Sequence, residues 1–167
     1  MITIHSIEDL PKRIPIFPLT GAVLFPGTQL PLNIFESRYI NMIDDALASS
    51  DRLISMIQPA SSKDNDSKIL KNVGCIGKIT TFNEIEDSRY LITLTGIIRF
   101  KIKEELDTTT PYRQIIPDFT NFNVDLEDQN VESIDRENLL SLIKKYLAHR
   151  NMLTDWDIIQ QTSTEQL

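Results

Sequence analysis

The sequence predicts an α+β chain, with a strand-rich N-terminal part holding one early helix and a helical C-terminal part after it. Three observations carry that expectation. Between residues 14 and 34, Pro15, Pro18, Pro26 and Pro31 interrupt short apolar runs. Each proline fixes φ and removes a backbone donor, so this stretch divides into short extended pieces joined by turns. From Tyr90 to Ile102 the apolar residues recur at every second position, the period of a strand with one buried face. From Asp135 the period changes: Leu139, Leu142/Ile143 and Tyr146/Leu147 recur at helical spacing.

Taken in order, residues 1–10 alternate weakly and suit a short strand or an irregular arm. Residues 14–19 and 30–34 are predicted strands, the second placed at a sheet edge or bulge because it contains Pro31. Pro26-Gly27 has the order of a type II turn, and Thr20-Gly21 can supply a second reversal. The first helix is predicted over residues 35–48, with Phe35, Tyr39, Met42/Ile43 and Ala46/Leu47 on its apolar side and Ser49-Ser50-Asp51 ending it. Residues 53–57 form a third strand stopped by Pro59. The polar run 60–71 lacks periodicity and reads as a surface loop.

Residues 73–82 and 90–102 form the longest strands, joined by a turn region at 83–89. The second exceeds the usual strand length, so a bulge, bend or close backbone approach is expected at Gly96, of the kind found where a sheet curls toward a barrel. Residues 112–119 add a strand. Residues 121–129 are expected to be a loop whose Phe122, Val124 and Leu126 fold back onto the core. A helix follows from Asp135 to a stop at Arg150-Asn151. Thr154 is the expected N-cap of a last helix, with Asp157 in the capping-box position, running to Leu167. The domain boundary is set between residues 1–125, the β domain with helix 35–48, and residues 126–167, the start of a helical part predicted to continue past Leu167.

At 167 residues the chain suits one main core, and 41% hydrophobic with 25% charged residues is ordinary globular composition. No run of apolar residues is long enough to span a membrane. The start of the sequence lacks a hydrophobic segment followed by a small-residue cleavage site, and the single cysteine, Cys75, excludes an internal disulfide. Both fit a cytoplasmic location. The net charge of −7 disfavours a nucleic-acid partner, since the seventeen Lys and Arg are scattered rather than gathered in a stripe. The acid-rich stretch 104–137 reads as a solvated surface.

The chemistry-bearing residues point away from catalysis. His5 and His149 are far apart in sequence, with no cysteine or carboxylate at ligand spacing beside either. Cys75 sits in an apolar strand and reads as an inert core thiol. Glu36 is expected to stabilise the first turn of the first helix, Arg38 to form a salt bridge or stack at the sheet edge, and Arg99 to pair outward with the acidic surface. Trp156 is expected to pack the last helix onto the one before it. No residue is assigned a catalytic, cofactor-binding or metal-binding role, and no cofactor is expected.

The segment I-F-P-L-T-G-A-V-L-F-P-G-T-Q-L-P-L-N-I-F-E-S-R-Y, residues 16–39, resembles the signature of the Lon protease N-terminal, or substrate-binding, domain. That family pattern reads P-L-F-P-L-P-G-x-V-L-F-P-G-x-x-L-P-L-x-I-F-E-x-R-Y. Thr20 stands where proline is common in it, and Asn33 where histidine or a similar polar residue is common. Val73-Gly74-Cys75-Ile76-Gly77 resembles the family's V-G-x-x-G strand, and residues 91–100 its L-x-G-x-x-R-F strand. The resemblance covers residues 12–157 and implies a PUA-like β pseudobarrel with one early helix and a helical part behind it.

It also implies a non-catalytic module that recognises unfolded or tagged proteins or peptides, similar to a stand-alone bacterial Lon-domain protein. No G-x-x-x-x-G-K-[ST] loop for ATP phosphates occurs in these residues. An exposed apolar groove is expected around residues 23–28 and the inner side of the late helices. Self-association through the C-terminal helices is a further expectation. The alternative is an RNA-binding PUA-like module, since such folds often bind RNA, and the acidic charge stands against it.

Overall fold

A computed structural model of the chain describes residue 4 and residues 6–60, 69–85, 89–127 and 135–164. These belong to two compact units, Met1–Glu127 and Asp128–Leu167.

The first unit is a six-stranded sheet with one helix. Strands β1 (Ile14–Pro18), β2 (Gln29–Ile34), β3 (Leu53–Pro59), β4 (Leu70–Ile85), β5 (Arg89–Leu106) and β6 (Gln114–Asp118) pair in the order β2-β5-β4-β3-β1-β6, and β5 pairs with β6 as well. The last pairing closes β5, β4, β3, β1 and β6 into a ring, the pseudobarrel. All contacts are antiparallel except β1 with β3. Strand β5 serves two neighbours on one edge, β2 along residues 90–95 and β6 along residues 101–106. Strand β2 therefore lies outside the ring and exposes one edge, the position its proline requires.

Helix α1 (Ser37–Ala48) buries Tyr39, Met42, Ile43 and Ala46. Phe35 is not part of that stripe: it is 66% exposed, because the helix starts two residues later than its periodicity suggested. Ser49 ends the helix by donating its hydroxyl to Ala46 O at 2.7 Å and accepting from Arg52 N. The core has two parts. Phe17, Ile34, Ile54, Met56, Ile92 and Leu94 pack with α1, while Ile14, Ile16, Ile57, Ile76, Ile98, Phe100 and Ile115 form the second cluster. Strand β3 supplies both, which is why its sequence is apolar without alternation. Its one buried polar side chain, Ser55, donates to Pro15 O at 2.9 Å.

Strand β5 passes from one cluster to the other at Gly96. Register shifts opposite it fall between Ile76 and Gly77 and between Ile79 and Thr81 of β4, so the expected irregularity is present. Of the two forms expected for the N-terminal arm, its described residues take the irregular one, with a 3-10 turn at Ile7–Asp9 and Leu10 buried. One expectation needs correction: the loop after β6 contains a second 3-10 turn, Asn123–Leu126, and while Phe122 is buried, Val124 is half-exposed. Most of the expected loop 60–71 lies outside the described residues.

The second unit is an antiparallel helix pair, α2 (Arg136–His149) and α3 (Trp156–Gln161). Asp135 caps α2 by accepting from Asn138 N at 3.0 Å, and Asn151, at φ 52°, turns the chain after it. Arg136 donates to Gln160 O, Thr162 O and Thr164 Oγ1, satisfying carbonyls at the end of α3. The cap of α3 is Asp155 rather than Thr154, with its carboxylate accepting from Asp157 N and Ile158 N. With the cap one residue later than expected, Asp157 falls at the second helical position, and the third, where a box needs its acid, is Ile158. Helix α3 stops at Gln161 instead of continuing through Thr164.

Candidate functional site

The loop at residues 22–28 is built outward from Pro26-Gly27. Thr28 N donates to Phe25 O at 3.1 Å and Gly27 has φ 75°, a type II turn with proline and glycine in their favoured places. The Thr28 hydroxyl donates to Phe25 O at 2.8 Å and accepts from Phe25 N at 3.2 Å, closing the turn on itself. The turn is then bonded to the middle of β5: Gly27 N donates to Gly96 O at 3.0 Å, and Gly96 N donates to Thr28 O at 2.9 Å. A Cβ on Gly96 would stand 2.0 Å from Phe25 O. Gly96 is therefore where two backbones meet.

This clamp sets the side chains around Leu24. Leu24 is buried in the core beside Gly77, while Val23 and Phe25 on either side are 52% and 58% exposed. Val73, half-exposed, faces the same cleft, whose volume is about 100 Å³ and whose walls include Met56, Gln58, Cys75 and Arg99. Gln58 Nε2 donates to Ala22 O at 3.3 Å and holds the loop's start. The result is a fixed apolar ridge over a shallow cleft lined by residues of the first unit, at the position expected for the proline-rich loop.

Arg99 borders the cleft and pairs with Asp125. Its Nη2 donates to Asp125 Oδ1 at 2.6 Å and its Nε to Oδ2 at 2.9 Å, while Arg99 N donates to Oδ2 at 2.9 Å. The guanidinium lies 5.0 Å from the centre of the Phe122 ring. These bonds from Arg99 hold the Asp125 carboxyl below its ordinary pKa. Only 6% of the Asp125 side chain is exposed, so this acid of the 104–137 stretch is an anchor and not part of a solvated surface.

A pocket of about 410 Å³ with mixed polar and apolar walls lies between the end of α1 and the starts of β1 and β6, lined by Arg13, Ile14, Asp45, Leu53, Tyr112 and Gln114 among others. Tyr112 donates its hydroxyl to Asp45 Oδ2 at 2.5 Å. Burial and the Asp45 carboxylate push its phenol up to about 12. A third hollow, also about 410 Å³, crosses β2, β5 and β4 on residues including Pro31, Leu32, Phe82 and Leu91. Sequence periodicity gave no sign of the Tyr112 contact, because its partner lies 67 positions away.

The remaining residues singled out from the sequence fall as follows. Glu36 stands at the N-cap of α1 without a side-chain cap bond, and its carboxylate pairs with Arg38 at 2.9 Å instead. Arg38 also lies 4.7 Å from the centre of the Tyr39 ring. Cys75 is 2% exposed and its thiol is pushed up to about 12 by burial, which leaves it protonated and unreactive at neutral pH. His149 is exposed in the last turn of α2, and His5 lies outside the described residues. Trp156 is half-buried, with Lys144 Nζ 5.6 Å from its ring, so it does join α3 to α2. Among the described residues no three His, Cys, Asp or Glu are grouped to hold a metal ion, and no helix is long and apolar enough to cross a membrane.

Comparison with known proteins agrees with this architecture. The family model of the ATP-dependent protease La (LON) substrate-binding domain matches residues 13–166. Lon protease 2 of Myxococcus xanthus is 29% identical over 129 residues, 76% of this chain and 15% of that protein. The Lon protease of Desulfosudis oleivorans is 32% identical over 110 residues, 64% of this chain and 13% of that protein. The chain thus spans about one-seventh of the length of these relatives. The crystal structure of a Lon N-terminal domain protein from Xanthomonas campestris superposes with TM-score 0.57 at 20% identity, covering 81% of this chain and 73% of that one. The N-terminal domain of the Mycobacterium avium complex Lon protease gives 0.60 at 18% identity, covering 93% and 76%. These two likenesses speak for the fold, and the family match, which spans both the clamped loop and the closed ring, shows that the chain belongs to the Lon substrate-binding domain family.

Proposed function

We propose that this domain is a non-catalytic recognition module that holds unfolded or tagged polypeptide against the apolar ridge of Val23 and Phe25. The observation that carries the proposal is the combination of exposure and rigidity there. Two large apolar side chains stand in water while the turn beneath them is bonded to β5 through both Gly27 and Thr28. Apolar groups fixed in an exposed arrangement lose little conformational freedom when a partner covers them. Such recognition needs neither a nucleophile nor a metal, and the buried thiol of Cys75 and the neutral phenol of Tyr112 offer none at neutral pH.

The expected partners are protein chains, and we take the protein to act in the cytoplasm, where its lone thiol stays reduced. The name of the matched family supports a protein substrate. The test is fluorescence anisotropy with a labelled, permanently unfolded protein such as reduced and alkylated lactalbumin. Replacing Val23 and Phe25 together with serine should weaken binding about tenfold while costing only about 1 kcal/mol of stability, since more than half of each residue is already exposed. Equal binding by the wild type and the double variant would reject the ridge as the recognition surface. A labelled single-stranded RNA in the same assay should show no binding at physiological salt, given the charge of −7.

A further inference from the structure

The hairpin of β4 and β5 is longer than the strands that flank it, and part of β4 has a neighbour on one side only. β3 pairs with β4 up to Lys78, and the last bond on that side runs from Ile79 N to Arg52 O at 2.9 Å. From Thr81 to Ile85, β4 pairs with β5 alone, and no described strand lies along its other edge.

The backbone direction along this edge follows from alternation. Gly96 N and O both bond the loop at residues 27–28, so they point toward β2. Successive residues of a strand point their N–H and C=O to opposite sides. Leu94, Ile92 and Tyr90 therefore point toward β2, while Thr93 and Leu91 point toward β4. The Thr80 hydroxyl, which donates to Thr93 O at 3.2 Å, confirms that direction. Thr93 and Leu91 face Thr81 and Asn83 across the ladder. The groups pointing away from β5 are then those of Phe82 and Glu84, continuing the side on which Ile79 N reaches Arg52 O. Phe82 and Glu84 thus present outward donors and acceptors with no strand to receive them.

The other open edge of this sheet is blunted. By the same alternation, Gln29, Pro31 and Asn33 point outward from β2, and Pro31 has no N–H in the middle of that edge. The edge of β4 has no proline, and an aromatic ring stands on it: Phe82 is 42% exposed. The carboxylate of Glu84, two residues on, lies on the same face.

We infer that the edge of β4 at residues 81–85 receives an extended stretch of unfolded polypeptide as an added strand, a mode that rests on the polypeptide-binding function proposed above. Bonds to the outward groups of Phe82 and Glu84 read only main chain, so many sequences are accepted. Side chains add a bias: an apolar residue opposite Phe82 and a basic residue two positions away, opposite Glu84, share one face of the added strand. The overall charge of −7 favours the same basic partner.

The probe is a short synthetic peptide repeating valine, threonine, lysine and threonine, which puts valine and lysine alternately on one face. Its addition should slow amide exchange at Phe82 and Glu84, read by NMR. The same peptide methylated at every backbone nitrogen keeps its side chains and loses its donors, and should bind about tenfold more weakly. Glu84→Lys should weaken the lysine peptide and strengthen a version carrying glutamate in its place. If peptides bind but protection appears only at residues 22–28 and methylation changes nothing, the added strand is overturned while the recognition function stands. If neither the peptide nor the unfolded protein binds, both are overturned. Concentration-dependent dimers in light scattering, with protection of Phe82 and Glu84 in the absence of peptide, would show that a second copy occupies the edge and would also overturn the proposal.

Discussion

Replacing Gly96 with alanine tests the clamp on which the candidate site depends. The added Cβ would lie 2.0 Å from Phe25 O, 2.7 Å from Phe25 C and 3.2 Å from Leu24 Cγ, where ordinary contact begins near 3.4 Å. The first two neighbours are backbone, so relief requires moving the whole 25–28 turn by roughly 1 Å or more. Such a shift stretches both bonds between the turn and Gly96 and displaces Leu24 from the core. Two bonds at about 1 kcal/mol each, plus about 1 kcal/mol of lost packing, outweigh the approximately 0.5 kcal/mol gained by restricting the unfolded chain.

The expected loss is therefore about 2–3 kcal/mol, a fall of about 1 M or more in the urea midpoint of the first unit. Trp156 lies in the second unit, so its fluorescence is the wrong probe. Amide signals of β5, or the near-ultraviolet signal of Tyr39 and Tyr112, report the right transition. Gly21→Ala is the control, since it meets no atom within 4 Å and carries only the cost of φ 80°, about 1 kcal/mol. An unchanged midpoint for Gly96→Ala, or an equal loss for both variants, would refute the clamp. The Gly96 variant should also bind unfolded protein more weakly, because its Val23 and Phe25 no longer hold one arrangement.

Further outcomes follow from the two perturbed groups near the cleft. Asp125→Asn should cost about 2 kcal/mol at neutral pH, since an acid with 6% of its side chain exposed loses charge-assisted bonds to Arg99. The folded carboxyl titrates below its unfolded value of about 3.9, so its contribution is present above that pH and lost as pH falls through the lowered value. Urea midpoints of wild type and variant should converge in acid, and a gap that persists there would assign the loss to shape alone. Cys75, with its thiol pushed up to about 12, should resist iodoacetamide until urea unfolds the first unit. Rapid labelling of the native protein would contradict its burial.

Much of the fold could be read from local pattern because its causes are local. Pro26-Gly27 specifies a turn through the φ values of two residues, and the structure has that turn. The alternation of residues 90–102 follows from one buried face, which requires no knowledge of the partner, and the spacing from Leu139 specifies a helix even though α2 has no fully buried residue, with Leu142 and Tyr146 exposed. What local pattern leaves open depends on partners distant in sequence. Arg99 pairs with the acidic stretch as expected, but its partner Asp125 lies 26 positions away, and Tyr112 with Asp45 spans 67, and no periodicity picks out such partners. Phe35 failed for the opposite reason. It fits the helical period of α1, but the helix begins at Ser37, and the Glu36–Arg38 pair takes up the acid expected to stabilise its first turn.

The open edge of β4 was also present in the sequence, though as a mismatch of lengths rather than a motif. The expected strands at 73–82 and 90–102 are much longer than those at 14–19, 30–34 and 53–57. Short strands cannot cover long ones on both sides. In the structure β4 has 16 residues against 7 for β3, and its last residues extend past the point where β3 ends. A hairpin that outgrows its neighbours must leave backbone groups to water, to a copy of itself or to another chain. The proline on β2 lies on the same three-stranded extension and blocks one of its two edges, while the other carries an exposed phenylalanine. That difference between two edges of one sheet is the physical reason to look for the added strand at Phe82 and Glu84.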